Sequence, residues 1–206
     1  METRPSPRIV GGSTADYSSV PFTSQLLANS QFNCTSSVIS ATWVLTAKHC
    51  VGGGTISFRV GSGTLGQGTV VTSKRTVTWS DGDLALVELS KPYNTTYATL
   101  GTTEPSVGSN SAIYGWGRET LKLKTANVRI SGFGSDNDGG RSIYHTGING
   151  QAWKGDSGGP LIVGGKLVGV ASTSYSQGNN PNSRSDYTSV PNAANWIKSV
   201  SGVIVK

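Results

Sequence analysis

The stretch Gly155-Asp156-Ser157-Gly158-Gly159-Pro160 places a hydroxyl among glycines, directly before the apolar run Leu161-Ile162-Val163. Structurally it reads as a Gly-rich turn between strands. Yet such a turn needs neither Asp-Ser between its glycines nor a proline leading into a buried run. Glycines let backbone N–H groups converge on a ligand oxygen, and Ser157 presents a nucleophile in the same place. A serine hydroxyl needs a base, and the chain holds only two histidines. His49 follows the apolar Trp43-Val44-Leu45 within Thr46-Ala47-Lys48-His49-Cys50, whereas His145, in Tyr144-His145-Thr146-Gly147, reads as a loop residue. A surface or hydrogen-bonded structural role is the commoner one for either ring. The third requirement is a carboxylate to orient the imidazole. Asp81-Gly82-Asp83-Leu84-Ala85-Leu86-Val87 supplies two, both readable as solvated turn aspartates. Asp83 abuts the apolar strand and is the one expected to turn inward and need a partner.

The two cysteines, Cys34 and Cys50, allow a single pairing. A bridge between them would close a loop of about 16 residues, worth ~3 kcal/mol in the chain-entropy picture, and would fix the backbone beside His49. Zinc fits poorly, because Cys34 has no His or Cys a short hop away and no paired-ligand spacing is present. The segment Gly61-Ser62-Gly63-Thr64-Leu65-Gly66-Gln67-Gly68 carries no carboxylate, so calcium is not expected either. No cofactor is expected.

The elements that must position these residues are short. Hydrophobic residues make up 35% of the chain and charged residues 14%, while glycine alone contributes 28 of 206 positions, a profile of strands and turns rather than long helices. No apolar run approaches the ~18 residues that cross a bilayer. The net charge is +6, but Lys48, Lys74, Arg75, Lys122, Lys124, Lys154 and Lys198 are scattered rather than gathered on one face. Neither nucleic acid nor membrane is therefore an expected partner, and the charge favours a soluble monomer. Strand-like runs recur at Phe22–Leu27, Val38–Ile39, Trp43–Thr46, Ser57–Val60, Thr69–Val77 and Leu84–Leu89. After a Pro- and Thr-rich break over 93–106 they resume at Ala112–Trp116, Ala126–Ile130, Leu161–Val163, Leu167–Ala171 and Tyr187–Ser189. Many short strands between turn signals predict an all-β sandwich or barrel in two similar halves. Pro191 through Lys198 predicts one terminal helix, with Ala193, Trp196 and Ile197 on its buried face. Residues 1–8 form a Pro-punctuated leader without an apolar signal segment, so the chain is either cytosolic or its export signal is not part of this sequence.

Arg8-Ile9-Val10-Gly11-Gly12, Thr46-Ala47-Lys48-His49-Cys50, Asp83-Leu84-Ala85-Leu86, Gly115-Trp116-Gly117 and Gly155 through Pro160 occur in one order, with His before Asp before Ser. In these motifs, over 9–198, the chain resembles the chymotrypsin/trypsin-like serine endopeptidases, with the look of a bacterial member. The resemblance implies two packed antiparallel β-barrels of the chymotrypsin type with a C-terminal helix. It divides the chain into a pro-segment (1–8) and a protease domain (9–206), whose barrels would span about 9–98 and 99–206. By the same resemblance His49 is the general base, Asp83 its orienter and Ser157 the nucleophile. The N–H groups of Gly155 and Ser157 would form the oxyanion hole. Cleavage after Arg8 would free the Ile9 ammonium to pair with Asp156, making the chain a zymogen of a secreted enzyme acting on protein or peptide substrates.

Where the chain departs from the family, substrate choice is affected. The pocket-floor position holds Gln151, where trypsins carry Asp, so a buried Arg or Lys side chain would lack a counter-charge. Cleavage after Pro7-Arg8, at the Arg8–Ile9 bond, therefore calls for a separate activating protease. Trp153 and His145 fall where relatives have disulfide cysteines. Gln151, Ala152, Lys154, Ser172, Thr173, Ser174 and Ser185 are the expected substrate-binding residues, with Ser174 and Ser185 narrowing the pocket toward small or medium uncharged side chains. Asp186 is the fallback carboxylate. Two rival readings share these residues: a non-catalytic binding protein on the same fold, and an esterase or acyltransferase using the same acyl-enzyme.

Overall fold

A computed structural model describes residues 10–117, 121–148, 150–151, 156–174 and 184–205, with backbone alone at Val10, Gln151 and Ser174. The first half carries β1 (Val10–Gly11), β2 (Ser13–Thr14), β3 (Thr23–Ala28), β4 (Gln31–Val38), β5 (Trp43–Thr46), β6 (Ile56–Val60), β7 (Thr69–Thr78) and β8 (Ala85–Leu89). The second half carries β9 (Asn110–Gly115), β10 (Lys124–Ser135), β11 (Arg141–Gly147), β12 (Gly150–Gln151), β13 (Pro160–Val163), β14 (Lys166–Ser174) and β15 (Arg184–Ser189). A 3-10 turn, Pro191–Ala193, leads into the helix α1 (Ala194–Ser201).

Strands β3-β4-β5-β8-β7-β6 close into a six-stranded antiparallel barrel. The order β11-β15-β14-β13-β9-β10, closed by a β10–β11 pairing, makes a second one. Closure leaves no free ladder edge in either barrel. Along β10, inward and outward positions alternate through Lys124–Ile130, so Ala126, Val128 and Ile130 enter the second core while Asn127 and Arg129 face out. That core also holds Ile113, Ile143, Leu161, Val168, Ala171 and Tyr187. The larger apolar cluster runs from Leu26, Val44, Phe58 and Leu86 in the first barrel across to Trp116, Leu167 and Val170 of the second and on to Ile197 of the helix. Burial of this seam is what holds the barrels together, so the cleft between them is fixed by packing.

The expected terminal helix is present, with Ala193 and Ile197 buried. Gly202 ends it at φ 75°, donating its N–H to Lys198 O at 2.8 Å. Trp196 stacks on Trp79 with ring centroids 5.8 Å apart. Trp79 N donates to Leu84 O at 3.0 Å, and Trp79 O accepts from Lys48 Nζ at 2.9 Å. The helix thus braces the loop that carries Asp83 and, through Lys48, the turn that carries His49.

One expectation fails outright. His145 is not a loop residue: it lies within β11, paired in register with Ile130 and Ser185, and is fully buried. The run Arg141-Ser142-Ile143-Tyr144-His145 has too little apolar character to announce a strand, and only its two neighbours in the closed barrel make it one.

Candidate active site

His49 sits in a 3-10 turn, Lys48–Cys50, directly after β5. Cys50 is bridged to Cys34 on β4, and Asn33 Nδ2 donates to Cys50 O at 3.2 Å, so the far side of the turn is anchored. Asp83 is completely buried, while the His49 side chain is about one-third exposed at 33%. The carboxylate grips the histidine twice: Oδ1 accepts the His49 backbone N–H at 3.0 Å, and Oδ2 lies 2.7 Å from ring Nδ1. Ser172 Oγ donates to the same Oδ2 at 2.6 Å. Burial pushes the Asp83 carboxyl up, but the hydrogen bonds from His49 and Ser172 outweigh it and hold the carboxyl below its ordinary range.

Ser157 reaches this pair through its neighbours. Its carbonyl accepts the Thr35 N–H at 2.9 Å, and Gly158 N donates to Ala171 O at 2.9 Å. Gly158 has φ 82°, and a Cβ there would strike Thr35 O and Thr46 Oγ1. Only glycine lets the turn press against Thr46-Ala47, the residues that lead into His49. Half-buried Ser157 is therefore pinned between β4 of the first barrel and β14 of the second.

Behind it, Asp156 is buried and accepts the Gly117 N–H on Oδ1 at 2.7 Å. A Cβ on Gly115 or Gly117 would fall on the Asp156 carboxylate, which accounts for the Gly-Trp-Gly motif by space alone. Val10 and Gly11 pair with Gln151 and Gly150, the strand that holds the expected pocket-floor position.

The other expected site residues divide into groups. Ser172, expected on the substrate-binding strand, lies on β14 and donates its hydroxyl to Asp83. Thr173 is half-buried, and its Oγ1 has no hydrogen-bond partner among the described residues. Ser185 is buried on β15, opposite Ser174 of β14 and His145 of β11. Asp186 is buried facing the other way, held by Arg184 (Nη2 to Oδ1, 3.0 Å; Nε to Oδ2, 3.2 Å) and by Ser142 Oγ at 2.9 Å. Arg8, Ile9, Ala152, Lys154 and Gly155 lie outside the described residues, as do the side chains of Gln151 and Ser174.

Three donors, two from His49 and one from Ser172, thus meet on one buried carboxylate, with a serine-bearing turn wedged beside them. Comparison with known proteins agrees. The model of the trypsin family matches residues 9–197. The chain belongs to the trypsin family. Trypsin alpha of Drosophila erecta is 31% identical, over 82% of this chain and 78% of the relative. Among solved structures, neuropsin, a serine protease of mouse brain, superposes with a TM-score of 0.81 at 24% identity, over 91% of this chain and 97% of its own. Human heparin binding protein superposes with a TM-score of 0.80 at 22% identity, over 94% and 97%. At these identities the structural likeness speaks for the chymotrypsin-like fold alone, and the family membership rests on the sequence. Membership makes the chain a trypsin-like serine protease with peptide substrates as its class. Among the described residues, no helix is long and apolar enough to cross a membrane.

One residue at the site escaped the sequence reading. Asp136, in the hairpin between β10 and β11, hydrogen-bonds Asp83 from behind. Asp136-Asn137-Asp138-Gly139-Gly140 looks like any polar turn, and nothing in its spacing connects it to Asp83.

Proposed function

We propose that this chain is a secreted serine endopeptidase that cleaves peptide bonds through an acyl-enzyme on Ser157. The observation that carries the reading is the buried Asp83 carboxylate holding His49 at both backbone and ring, which leaves the other ring nitrogen to the half-exposed side. A neutral imidazole whose Nδ1–H is fixed on a carboxylate offers Nε2 as the base. In this reading His49 takes the Ser157 proton as Oγ attacks the scissile carbonyl, and Asp83 stabilises the imidazolium that forms. The N–H groups of Ser157 and Gly155 then stabilise the developing oxyanion, and His49 returns the proton to the leaving amine.

The chain is made as a zymogen in this reading. A separate protease cuts after Arg8, and the new Ile9 ammonium pairs with buried Asp156. The pairing of Val10 with Gln151 supports this, because it brings the residue after Ile9 alongside the floor strand. With Gln151 on that floor and Asp186 already bound by Arg184 and Ser142, no free carboxylate among the described residues is offered to an Arg or Lys side chain, so preference falls on small or medium uncharged residues.

The test is reaction with a chromogenic acylating reagent, on the full chain and on a chain beginning at Ile9, with Ser157→Ala as control. A stoichiometric burst in the shortened chain, absent from the Ser157→Ala protein, is expected. A burst that survives the substitution overturns the assignment.

A further inference from the structure

We propose that Asp136 is a positioning residue for the Asp83–His49 pair, a latch from the second barrel that sets the angle at which Asp83 meets the histidine. The proposal rests on the catalytic reading of His49 and Asp83 given above.

The hairpin loop 136–140 is organised around the Asp136 side chain. Its Oδ1 accepts the N–H groups of Asp138 (2.9 Å) and Gly140 (2.8 Å). The backbone closes the loop again, Asp136 N donating to Gly140 O at 2.7 Å and Gly139 N to Asp136 O at 3.2 Å. One oxygen thus shapes the loop. The other, Oδ2, leaves it and accepts the Asp83 backbone N–H at 2.8 Å and Thr188 Oγ1 at 2.8 Å. Asp136 is buried, with only 7% of its surface exposed, so these contacts are not diluted by water.

The same loop acts on Asp83 by a second route. Asn137 N donates to Ser172 Oγ at 3.0 Å, and Ser172 Oγ donates to Asp83 Oδ2 at 2.6 Å. With the Asn137 N–H on one of its lone pairs and an acceptor-only carboxylate oxygen opposite, the Ser172 hydroxyl has its proton directed at Asp83. One loop therefore holds the backbone of Asp83 and orients the group that shares its carboxylate oxygen with His49. It can come this close because the facing positions are glycine. A Cβ on Gly82 would come within 2.9 Å of Asp136 Oδ2, and one on Gly140 within 2.6 Å of the Gly82 Cα. Asp83 belongs to the β7–β8 connection of the first barrel and Asp136 to the β10–β11 connection of the second, so the latch also ties the two halves at the catalytic pair.

Asp136→Asn replaces one acceptor oxygen by an NH₂ group facing donors, at nearly constant volume. Measured on the chain beginning at Ile9, kcat should fall by up to about 100-fold, the scale of roughly ångström misplacement of a catalytic group. KM should stay within a factor of about two, because Asp136 is buried and acts through Asp83. A second readout needs no turnover: the downfield resonance of the His49 Nδ1 proton, assigned by its loss in His49→Ala, should shift in Asp136→Asn. A folded Asp136→Asn protein with wild-type kcat and an unmoved resonance overturns the proposal. If the wild-type chain hydrolyses nothing, the catalytic reading fails, and the resonance alone then decides whether Asp136 positions the pair. Should Asp136→Asn not fold, Thr188→Val takes its place. It frees the carboxylate to turn from Asp83, and the same drop in kcat and shift in resonance are expected, with no change in either overturning the latch.

Discussion

Asp83 holds His49 at two points, taking the backbone N–H on Oδ1 at 3.0 Å and facing ring Nδ1 from Oδ2 at 2.7 Å. A single contact would let the ring swing about it. Two contacts from one rigid carboxylate, itself tied to Ser172, fix both the turn and the ring plane. The arrangement is ordered before any substrate arrives, and preorganisation of this kind is where enzymes of this chemistry gain most of their rate.

The first prediction concerns the catalytic unit. Ser157→Ala and His49→Ala should each reduce kcat/KM by several orders of magnitude, and the double substitution should cost little more, because the residues act together. Asp83→Asn should lose about 10⁴-fold, since the amide favours the wrong ring tautomer. Steady-state kinetics on a chromogenic peptide decide it. Near-additive losses in the double variant would show that the two residues do not act as a unit.

The second concerns activation. The full chain should turn over substrate far more slowly than a chain beginning at Ile9, and Asp156→Asn in the shortened chain should return it toward the slow state. Parallel rate measurements on the three proteins test this. Equal rates with and without residues 1–8 would remove the Ile9–Asp156 pairing as the switch.

The third concerns specificity. On a peptide panel varied only at the residue before the cleaved bond, small and medium uncharged side chains should give the highest kcat/KM and Arg and Lys low values. Desolvating an unpaired cation costs several kcal/mol, on the order of a 1000-fold penalty. A preference for Arg or Lys would mean that a carboxylate other than Asp186, which is paired with Arg184, reaches the pocket.

The fourth concerns acid stability. Burial among apolar groups lowers the His145 imidazole to about 3, and neither ring nitrogen has a hydrogen-bond partner among the described residues. In the unfolded chain the ring titrates at about 6.5. Between those values only the unfolded state takes up the proton. The His145 contribution is therefore fully present above about pH 6.5 and is lost, by up to about 1.4 kcal/mol per pH unit, as pH falls toward 3. His145→Leu removes the titration and both unpartnered nitrogens, so the variant should match or exceed wild-type stability near neutrality. Urea unfolding across the acid range should show its advantage growing as pH falls. A difference that does not vary with pH would contradict a neutral, desolvated His145.

Much of the architecture is legible in the residues. Alternation along Lys124–Ile130, the β-branched run Thr69–Val77 and the turn glycines between strands are local signals, and local backbone physics acts on them directly. The terminal helix is legible for the same reason, as is the Cys34–Cys50 bridge, since two cysteines leave one pairing. The trypsin-family resemblance rests on motifs whose spacing survives in the chain. What closure of the barrels decides is different in kind. His145 becomes a buried strand residue because β10 and β15 flank it, not because of its own neighbours in sequence. Ser172 turns to Asp83 because β14 passes behind the β7–β8 loop, a contact across 89 positions. Asp136 reaches Asp83 over 53 positions, and only because two glycines let two hairpins touch. Hydrogen bonds of that span carry no periodicity to read. They exist once apolar burial has set the barrels against each other, and the cost of leaving a buried polar group unpaired then selects which side chains meet.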